Sequence, residues 1–390
     1  MAGERPPSHA LNAICPYFTM FPLDFPSSVL AGRATPGDWV LDPFCGRGTT
    51  NFAARMLALP TLGIDSSPVG VAVARAKLVD SSPRSILRAA ATILTDVAEP
   101  KDIPQGSFWE WAYAPEVLQS MCRLREGLMA NAKSPARTAL RAIILGAMHG
   151  PRTKGAPSYL SNQCPRTYAP KPRYATAFWQ ERGLRPEPVD VLDVIERRAD
   201  RYFAHRLPKP IGAIRLADSR ERSAFARLGR RFRWVITSPP YYGMRTYIPD
   251  QWLRNWFLGG PSAVDYSQTG QVTHASRAAF VSDLGVVWQR VSDVCLPDAT
   301  LVVRFGAIQD RAAAPLELLC ESLGVAGWEI SDVVSAGSAG DGRRQADHFV
   351  RGRSTAITEH DIWATRRGSG RGWLPQRWPC WPRRCCKHKA

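Results

Sequence analysis

Short apolar segments alternate along the chain with longer stretches of helical periodicity. Each apolar segment is rich in branched or aromatic residues and ends in an acidic, glycine or proline turn, which is typical of buried strands. Five such segments occupy 38–42, 61–65, 213–218, 232–237 and 299–304. Two more, at 328–334 and 357–365, predict a terminal antiparallel pair. Helical patterns at 51–59 and 280–296 complete an α/β pattern. We predict a mostly parallel, doubly wound sheet with binding loops at the carboxyl ends of its strands.

A long insertion interrupts this alternation. About 145 residues separate the second and third predicted strands, far more than one crossover helix requires. They predict helices at 114–130, 139–148 and 189–203 around a loop rich in Pro, Gly and Arg at 150–173. We therefore expect a discontinuous sheet domain at 1–82 and 207–366, and a mainly helical insertion at 83–206. A disordered basic tail is expected at 367–390.

The composition is close to that of an average globular protein. Of the 390 residues, 45% are hydrophobic and 22% are charged. No apolar run approaches the ~18 residues of a membrane span, and the first residues lack the apolar core of a signal peptide. The nine cysteines include no C-x-x-C pair, which argues against a disulfide framework and against a zinc site. We expect a cytoplasmic protein that contacts no membrane and binds no metal.

Charge is the strongest compositional signal, since 51 basic residues against 34 acidic ones give a net charge of +17. Two zones, at 133–173 and 366–390, contain basic residues and no acid. Such zones suit contact with phosphates, so a nucleic acid is the favoured partner. A genome that favours arginine codons is the alternative source of the excess, because Arg far outnumbers Lys.

The first chemical motif, Val-Leu-Asp-Pro-Phe-Cys-Gly-Arg-Gly-Thr-Thr at 40–50, joins a strand to a helix. Gly46 and Gly48 permit a tight turn that brings backbone N–H groups and the helix N-terminus close to a ligand. Asp65 ends the next strand 19 residues after Gly46, where a carboxylate can accept ribose hydroxyls. The motif predicts a nucleotide-like ligand. A nicotinamide cofactor is disfavoured, because Asn51 stands where the dinucleotide fingerprint has its third glycine.

The second motif, Thr-Ser-Pro-Pro-Tyr at 237–241, follows the fourth strand. Its prolines fix the chain and remove two donors, which leaves the carbonyls of Ser238 and Pro239 as rigid acceptors. Tyr241 supplies an aromatic face beside them. A planar base with an exocyclic amino group would satisfy both features. A proline-rich turn at a strand end, without any ligand, is the structural alternative.

Together the two motifs resemble those of the amino-methyltransferases, which use S-adenosylmethionine to methylate exocyclic nitrogens of DNA bases. The segment Pro-Tyr-Phe-Thr-Met-Phe-Pro at 16–22 resembles the family's aromatic segment over the methionine part of the donor, and Asp218 is placed like its adenine-binding acid. The resemblance implies a Rossmann-like methyltransferase fold with S-adenosylmethionine as cofactor. It assigns cofactor binding to Tyr17, Phe21, Asp42, Pro43, Phe44, Gly46, Gly48, Thr49, Thr50, Asp65, Ser66 and Asp218, and catalysis to Ser238, Pro239, Pro240 and Tyr241.

The resemblance further implies a site-specific DNA methyltransferase of a bacterium or phage, acting on a flipped base; such an enzyme can have a cognate restriction endonuclease. Ser before Pro-Pro-Tyr favours cytosine N4 in that family, and adenine N6 stays open. An RNA guanine-N2 methyltransferase and a non-catalytic nucleic-acid-binding protein on the same scaffold also stay open. We expect a monomer or weak dimer that binds double-stranded DNA through Arg152, Lys154, Asn162, Arg166, Lys171, Arg173, Arg245 and Tyr247.

Overall fold

A seven-stranded sheet forms the centre of the described part of the protein in the computed structural model. The structure describes residues 7–16, 21–150, 155–161, 163, 172–242, 251–264, 276–306, 315–338 and 358–366. The strands are β1 (Val40–Asp42), β2 (Thr61–Asp65), β3 (Gly212–Leu216), β4 (Phe232–Thr237), β5 (Cys295–Phe305), β6 (Trp328–Ser338) and β7 (Thr358–Arg366).

The strand order is β3-β2-β1-β4-β5-β7-β6. The pairs among β1 to β5 are all parallel, whereas β7 runs antiparallel to both of its neighbours. The carboxyl ends of the parallel strands therefore share one edge of the sheet. β7 begins at that edge, since His360 near its start pairs with Phe305 at the end of β5. The predicted fold class, a mostly parallel sheet with a terminal antiparallel strand, is confirmed.

Helices surround this sheet. They are α1 (Asp24–Leu30), α2 (Thr49–Met56), α3 (Pro68–Ala76), α4 (Pro83–Asp96), α5 (Ser107–Ala112), α6 (Pro115–Ala130), α7 (Pro135–Ala147), α8 (Pro172–Glu181), α9 (Val191–Phe203), α10 (Trp252–Phe257), α11 (Arg277–Val294) and α12 (Pro315–Val325). Serine hydroxyls accept backbone N–H bonds where several of them begin, as Ser67 does from Gly70 in α3. No helix in the described ranges is long and apolar enough to cross a membrane.

Alternation along the central strands divides the core between the two faces of the sheet. Val40 and Trp234 pack in one buried cluster with residues of α1 and α2. Their chain neighbours Leu41 and Val235 pack in another with residues of α11 and α12. Successive side chains of a strand point to opposite faces, so this period of two explains why short, continuously apolar segments form the strands.

The helices of the insertion share a core with α3. Val73 of α3 lies in the same buried cluster as Trp109 of α5 and Ile143 of α7, and α7 packs along α3. Trp252 and Trp256 of α10 belong to this cluster as well and are 4% and 1% exposed. The cluster therefore runs across the predicted boundaries at 82/83 and 206/207, and it includes the helix that follows the second motif along the chain.

Candidate active site

The glycine loop, residues 43–48, leaves β1 at the sheet edge and leads into α2. Gly46 has a φ of 48° and Gly48 a φ of 75°, in the left-handed region that glycine adopts without strain. A Cβ on Gly48 would lie 2.7 Å from the Cβ of Ala74 in α3. Glycine at position 48 therefore allows both the turn and the close approach of α2 to α3.

The carboxylate of Asp65, at the end of β2, holds this loop in place. Its Oδ2 accepts a hydrogen bond from the Gly46 N–H at 2.7 Å, and its Oδ1 accepts one from the Ser67 N–H at 2.8 Å. Burial raises the pKa of Asp65, and the two N–H donors oppose that rise. Each carboxylate oxygen keeps a second lone pair, so the group can still accept hydrogen bonds from a ligand. The next residue, Ser66, is exposed beside it.

Asp42 ends β1 and is fully buried. Its Oδ1 accepts hydrogen bonds from the Thr237 hydroxyl at 2.6 Å and from the Phe44 N–H at 3.1 Å. Its Oδ2 has no hydrogen-bond partner among the described residues. Burial raises the pKa of Asp42 to about 7, although the Thr237 hydroxyl lowers it. A buried carboxyl oxygen without a partner is costly, and a ligand that donates to it or carries positive charge relieves that cost.

These groups fit the cofactor that the resemblance implies. S-adenosylmethionine combines a ribose, a positively charged sulfur and an amino-acid end. Asp65 supplies carboxylate acceptors for the ribose, and the start of α2 supplies N–H donors. The Gly46 and Gly48 N–H groups already donate to Asp65 and to the Cys45 carbonyl and so hold the turn itself. Asp42 supplies a buried, unpartnered acceptor at the same loop.

Asp218 lies just beyond the end of β3 and next to the glycine loop. Ser219 joins the two, because its hydroxyl donates to the Pro43 carbonyl at 2.6 Å. The Asp218 carboxylate is engaged by the Arg220 guanidinium, which also donates to Asp283 of α11 at 2.9 Å. Partial burial raises the pKa of Asp218, but the hydrogen bonds from Arg220 outweigh this and hold it below its usual value. Arg220 is a charged group near the glycine loop that the motifs did not indicate.

The proline loop, residues 238–241, leaves β4 beside the glycine loop, because β4 and β1 are adjacent strands. Pro239 is buried, and Ser238 and Pro240 are half-buried. The Tyr241 hydroxyl donates to Oε1 of Glu359 at 2.8 Å. The structure thus brings the four predicted catalytic residues to the edge that holds Asp42 and Asp65. It adds Thr237 and Glu359, which the sequence patterns did not identify.

The structure also describes four other predicted cofactor residues, Thr49, Thr50, Phe44 and Phe21. Thr49 is the first residue of α2, and the Thr50 hydroxyl donates to the Ile236 carbonyl of β4 at 3.2 Å. The ring of Phe44 meets Trp288 of α11 edge to face, at 5.9 Å between centroids. Phe21 packs in the same manner against Phe25 of α1, at 5.3 Å.

Behind the glycine loop lies a buried lysine that the motifs also missed. Lys77 is fully buried, and its Nζ donates to Oδ1 of Asn12 at 2.8 Å. Burial lowers the pKa of Lys77 well below its usual value, and the nearby guanidinium of Arg47 lowers it further. Arg47 in turn donates to the Cys15 carbonyl at 3.2 Å. These bonds tie the short 3-10 helix at Pro7–Ala13 and the chain after it to α3 and the glycine loop.

Several predicted residues fall outside the described part of the chain. They are Tyr17 for the cofactor and Arg152, Lys154, Asn162, Arg166, Lys171, Arg245 and Tyr247 for DNA. Arg173 is described and lies exposed near the start of α8. Within the described residues, no group of three or more His, Cys, Asp or Glu side chains is arranged to hold a metal ion.

Residues 4–75 match the model of the N6_N4_Mtase family, whose description is DNA methylase. The matched stretch contains the glycine loop and Asp65. The match supports an amino-methyltransferase and, with it, S-adenosylmethionine as the cofactor. No curated protein matches the chain.

Solved structures of methyltransferases resemble the chain over most of its length. The rRNA methyltransferase aviRa from Streptomyces viridochromogenes is 14% identical with a TM-score of 0.36, covering 93% of this chain and 94% of that one. TrmN from Thermus thermophilus is 10% identical with a TM-score of 0.36, covering 94% and 55%. Magnesium protoporphyrin IX methyltransferase from Synechocystis with bound S-adenosylmethionine is 9% identical with a TM-score of 0.32, covering 88% and 77%. The fold is defined by the strand order and by the parallel pairing of β1 to β5.

Proposed function

We propose that this protein is a DNA methyltransferase that transfers a methyl group from S-adenosylmethionine to the exocyclic amino nitrogen of a flipped base, with cytosine N4 as the favoured target. The observation that carries the proposal is the hydrogen bond from Thr237 to Asp42, at 2.6 Å. Thr237 immediately precedes the proline loop, and Asp42 immediately precedes the glycine loop. The bond therefore fixes a loop suited to a nucleoside donor beside a loop suited to a planar base with an amino group.

The residues of both loops suit a reaction that depends on alignment. When bound, S-adenosylmethionine supplies a methyl group on a positively charged sulfur that leaves without acid catalysis. The carbonyls of Ser238 and Pro239 would accept hydrogen bonds from the amino group and hold its nitrogen towards the methyl group. The nitrogen–carbon bond would form as the carbon–sulfur bond broke, the electron pair of the broken bond would stay on sulfur, and the proton released from the nitrogen would pass to water.

Among the residues that the structure describes, no cysteine at this edge is suited to covalent attack. Cys45 of the glycine loop is 4% exposed, and burial raises the pKa of its thiol well above the usual value. A thiol that stays protonated and enclosed is a poor nucleophile. Direct transfer to an amino nitrogen, which needs no covalent intermediate, is the chemistry that these residues support.

Methyl transfer from labelled S-adenosylmethionine to double-stranded DNA tests the proposal, with sequencing of the product to identify the base. We expect Tyr241→Ala to lose at least tenfold in rate while its donor affinity, measured by calorimetry, stays within about twofold, because of the two ligands the ring would contact the base and not the donor. Stacking on an aromatic ring contributes about 1–3 kcal/mol per base. Tyr174→Ala is the matched control, because that tyrosine is 61% exposed on α8.

Two results would contradict the proposal. One is full activity of Tyr241→Ala on DNA. The other is a wild-type protein that binds the donor but methylates no DNA; transfer to RNA in a parallel assay would then point to the guanine-N2 alternative. Product at adenine N6 instead of cytosine N4 would change the target base and leave the reaction class as proposed.

A further inference from the structure

The side chain of Tyr241 contacts residues of β5 and β7. Its hydroxyl donates to Oε1 of Glu359 at 2.8 Å, and its ring meets Phe305 edge to face, at 5.3 Å between centroids and an interplanar angle of 79°. The first contact limits how far the hydroxyl end of the side chain can move, and the second limits rotation of the ring about its Cβ–Oη axis. Both partners lie on strands, Phe305 at the end of β5 and Glu359 at the start of β7.

Glu359 is only 4% exposed, which is unusual for an acidic side chain. Burying a carboxylate is costly unless hydrogen bonds compensate for the lost water, so a buried acid next to a functional loop needs a reason. Glu359 comes 118 residues after Tyr241 in the chain. The antiparallel direction of β7 brings it to the sheet edge where the parallel strands end.

We propose that Glu359 is a positioning residue that holds Tyr241 in the orientation needed to receive the target base. The inference rests on the proposed function, in which the Tyr241 ring supports the flipped base. A base that enters from a duplex has already lost its stacking and pairing, so a pre-oriented ring avoids a further loss of freedom when the base binds. Glu359 acts through the tyrosine hydroxyl and touches neither donor nor base.

Three variants separate this role from a general structural one. Tyr241→Phe keeps the ring and removes the donor of the bond. Glu359→Gln removes the charge and keeps an oxygen that accepts from the tyrosine hydroxyl. Glu359→Ala removes the acceptor altogether. Glu329→Gln, an exposed acid on the neighbouring strand β6, is the matched control.

We expect Tyr241→Phe and Glu359→Ala each to lower kcat about tenfold on a duplex oligonucleotide, with donor affinity within about twofold of wild type. Glu359→Gln should keep at least a third of the wild-type kcat, because the amide oxygen restores the acceptor. The double variant Tyr241→Phe/Glu359→Ala should be no slower than the slower single variant, since both changes break one bond. If Glu359→Ala does not fold, Tyr241→Phe and Glu359→Gln still decide the matter.

An unchanged kcat in Tyr241→Phe would overturn the proposal. So would a loss in Glu359→Gln as large as that in Glu359→Ala, because the charge rather than the acceptor would then matter. Multiplied losses in the double variant would show two independent roles and would also overturn it.

Urea unfolding of the same variants, without nucleic acid, keeps this inference separate from the proposed function. Coupling between Tyr241→Phe and Glu359→Ala in unfolding free energy reports the bond itself, because each change removes one partner of that bond. If the two changes are coupled in unfolding but the wild-type protein methylates no DNA, the result counts against the proposed function and not against the bond. If the wild-type protein methylates DNA but the two changes are not coupled in unfolding, the result counts against the role of Glu359.

Discussion

At the scale of single residues, the candidate site depends on ionisable groups that water does not reach. Asp42 and Lys77 are both fully buried, and burial shifts their pKa values in opposite directions, upward for the acid and downward for the base. Both shifts favour the neutral form of the side chain. The charge on these two side chains near the glycine loop therefore depends on the pH of the solution and on whether a ligand is bound.

We expect Asp42→Asn to weaken the pH dependence of stability between about pH 4 and pH 7. The pKa of Asp42 is about 7 in the folded protein, against a model-peptide value of 3.8. The folded state therefore holds the proton more tightly, and the stability this contributes is lost as the pH rises through that window. A shift of about three units corresponds to at most about 4 kcal/mol. Urea unfolding at pH 5 and pH 8 measures the effect.

The free energy of unfolding should fall more between these two pH values in wild type than in Asp42→Asn. Glu116→Gln, an exposed acid on α6, should leave the wild-type difference unchanged. Equal pH dependence in wild type and Asp42→Asn would show that Asp42 ionises normally in the folded protein.

At the scale of elements, the glycine loop is shaped by the contact between α2 and α3 as much as by its own turn. Gly48 stands at the N-terminal cap of α2, and the space its side chain would need is filled by Ala74. A Cβ on Gly46 would have no atom within 4 Å, so glycine is required there by its positive φ alone. Glycine is thus required at positions 46 and 48 for two different physical reasons.

Gly48→Ala should be more destabilising than a glycine replacement that only introduces backbone strain. Gly32→Ala is the matched control, because Gly32 has a φ of 71° and nothing within 4 Å of the added Cβ. We expect about 1–2 kcal/mol from the left-handed backbone at either position and a further ~1–3 kcal/mol from overpacking at Gly48. Thermal or urea unfolding compares the two, and donor calorimetry should show weaker binding only for Gly48→Ala. Equal destabilisation would mean that α3 moves aside at no cost.

Elements defined by local pattern were predictable, and those defined by distant contacts were not. β2 and β4 have the predicted bounds 61–65 and 232–237, because each is a short apolar run between turns. β1 begins at Val40 rather than at residue 38, since the Asp38 carboxylate instead accepts the Thr35 N–H and hydroxyl in the preceding turn. Glu359 escaped prediction because nothing near it in sequence specifies that the start of β7 lies against Tyr241.

At the scale of the whole molecule, net charge overstates the basic surface available to a partner. Several guanidinium groups are buried and bind backbone carbonyls or acids within the fold. Arg55 donates to the carbonyls of Pro208, Lys77 and Val79, and Arg254 donates to that of Leu145. A nucleic-acid interface must therefore come from exposed residues, and the acid-free zone at 133–173 is the proposed source.

Replacing Arg152 and Lys154 together by Ala should flatten the salt dependence of duplex DNA binding. Each lost phosphate contact changes the log–log slope by about 0.9, so two contacts give a change of about 1.8. Fluorescence anisotropy over a series of salt concentrations measures the slope. Arg84 and Arg88, which are exposed on α4, form the matched control pair and should leave it unchanged. An unaltered slope in the Arg152/Lys154 variant would move the phosphate contacts elsewhere.

The position of β7 between β5 and β6 has a consequence for how the protein is made. In the sheet, β6 pairs with β7, which is translated later. Until β7 has been synthesised, β6 therefore has no strand to pair with. β1 and β2, with the glycine loop and Asp65, come from the first 65 residues of the chain. Tyr241 gains its hydrogen bond to Glu359 only when β7 docks. During translation the glycine loop can therefore form long before the proline loop acquires its final geometry, and the unpaired edge of β6 is the surface that a chaperone would have to protect in between.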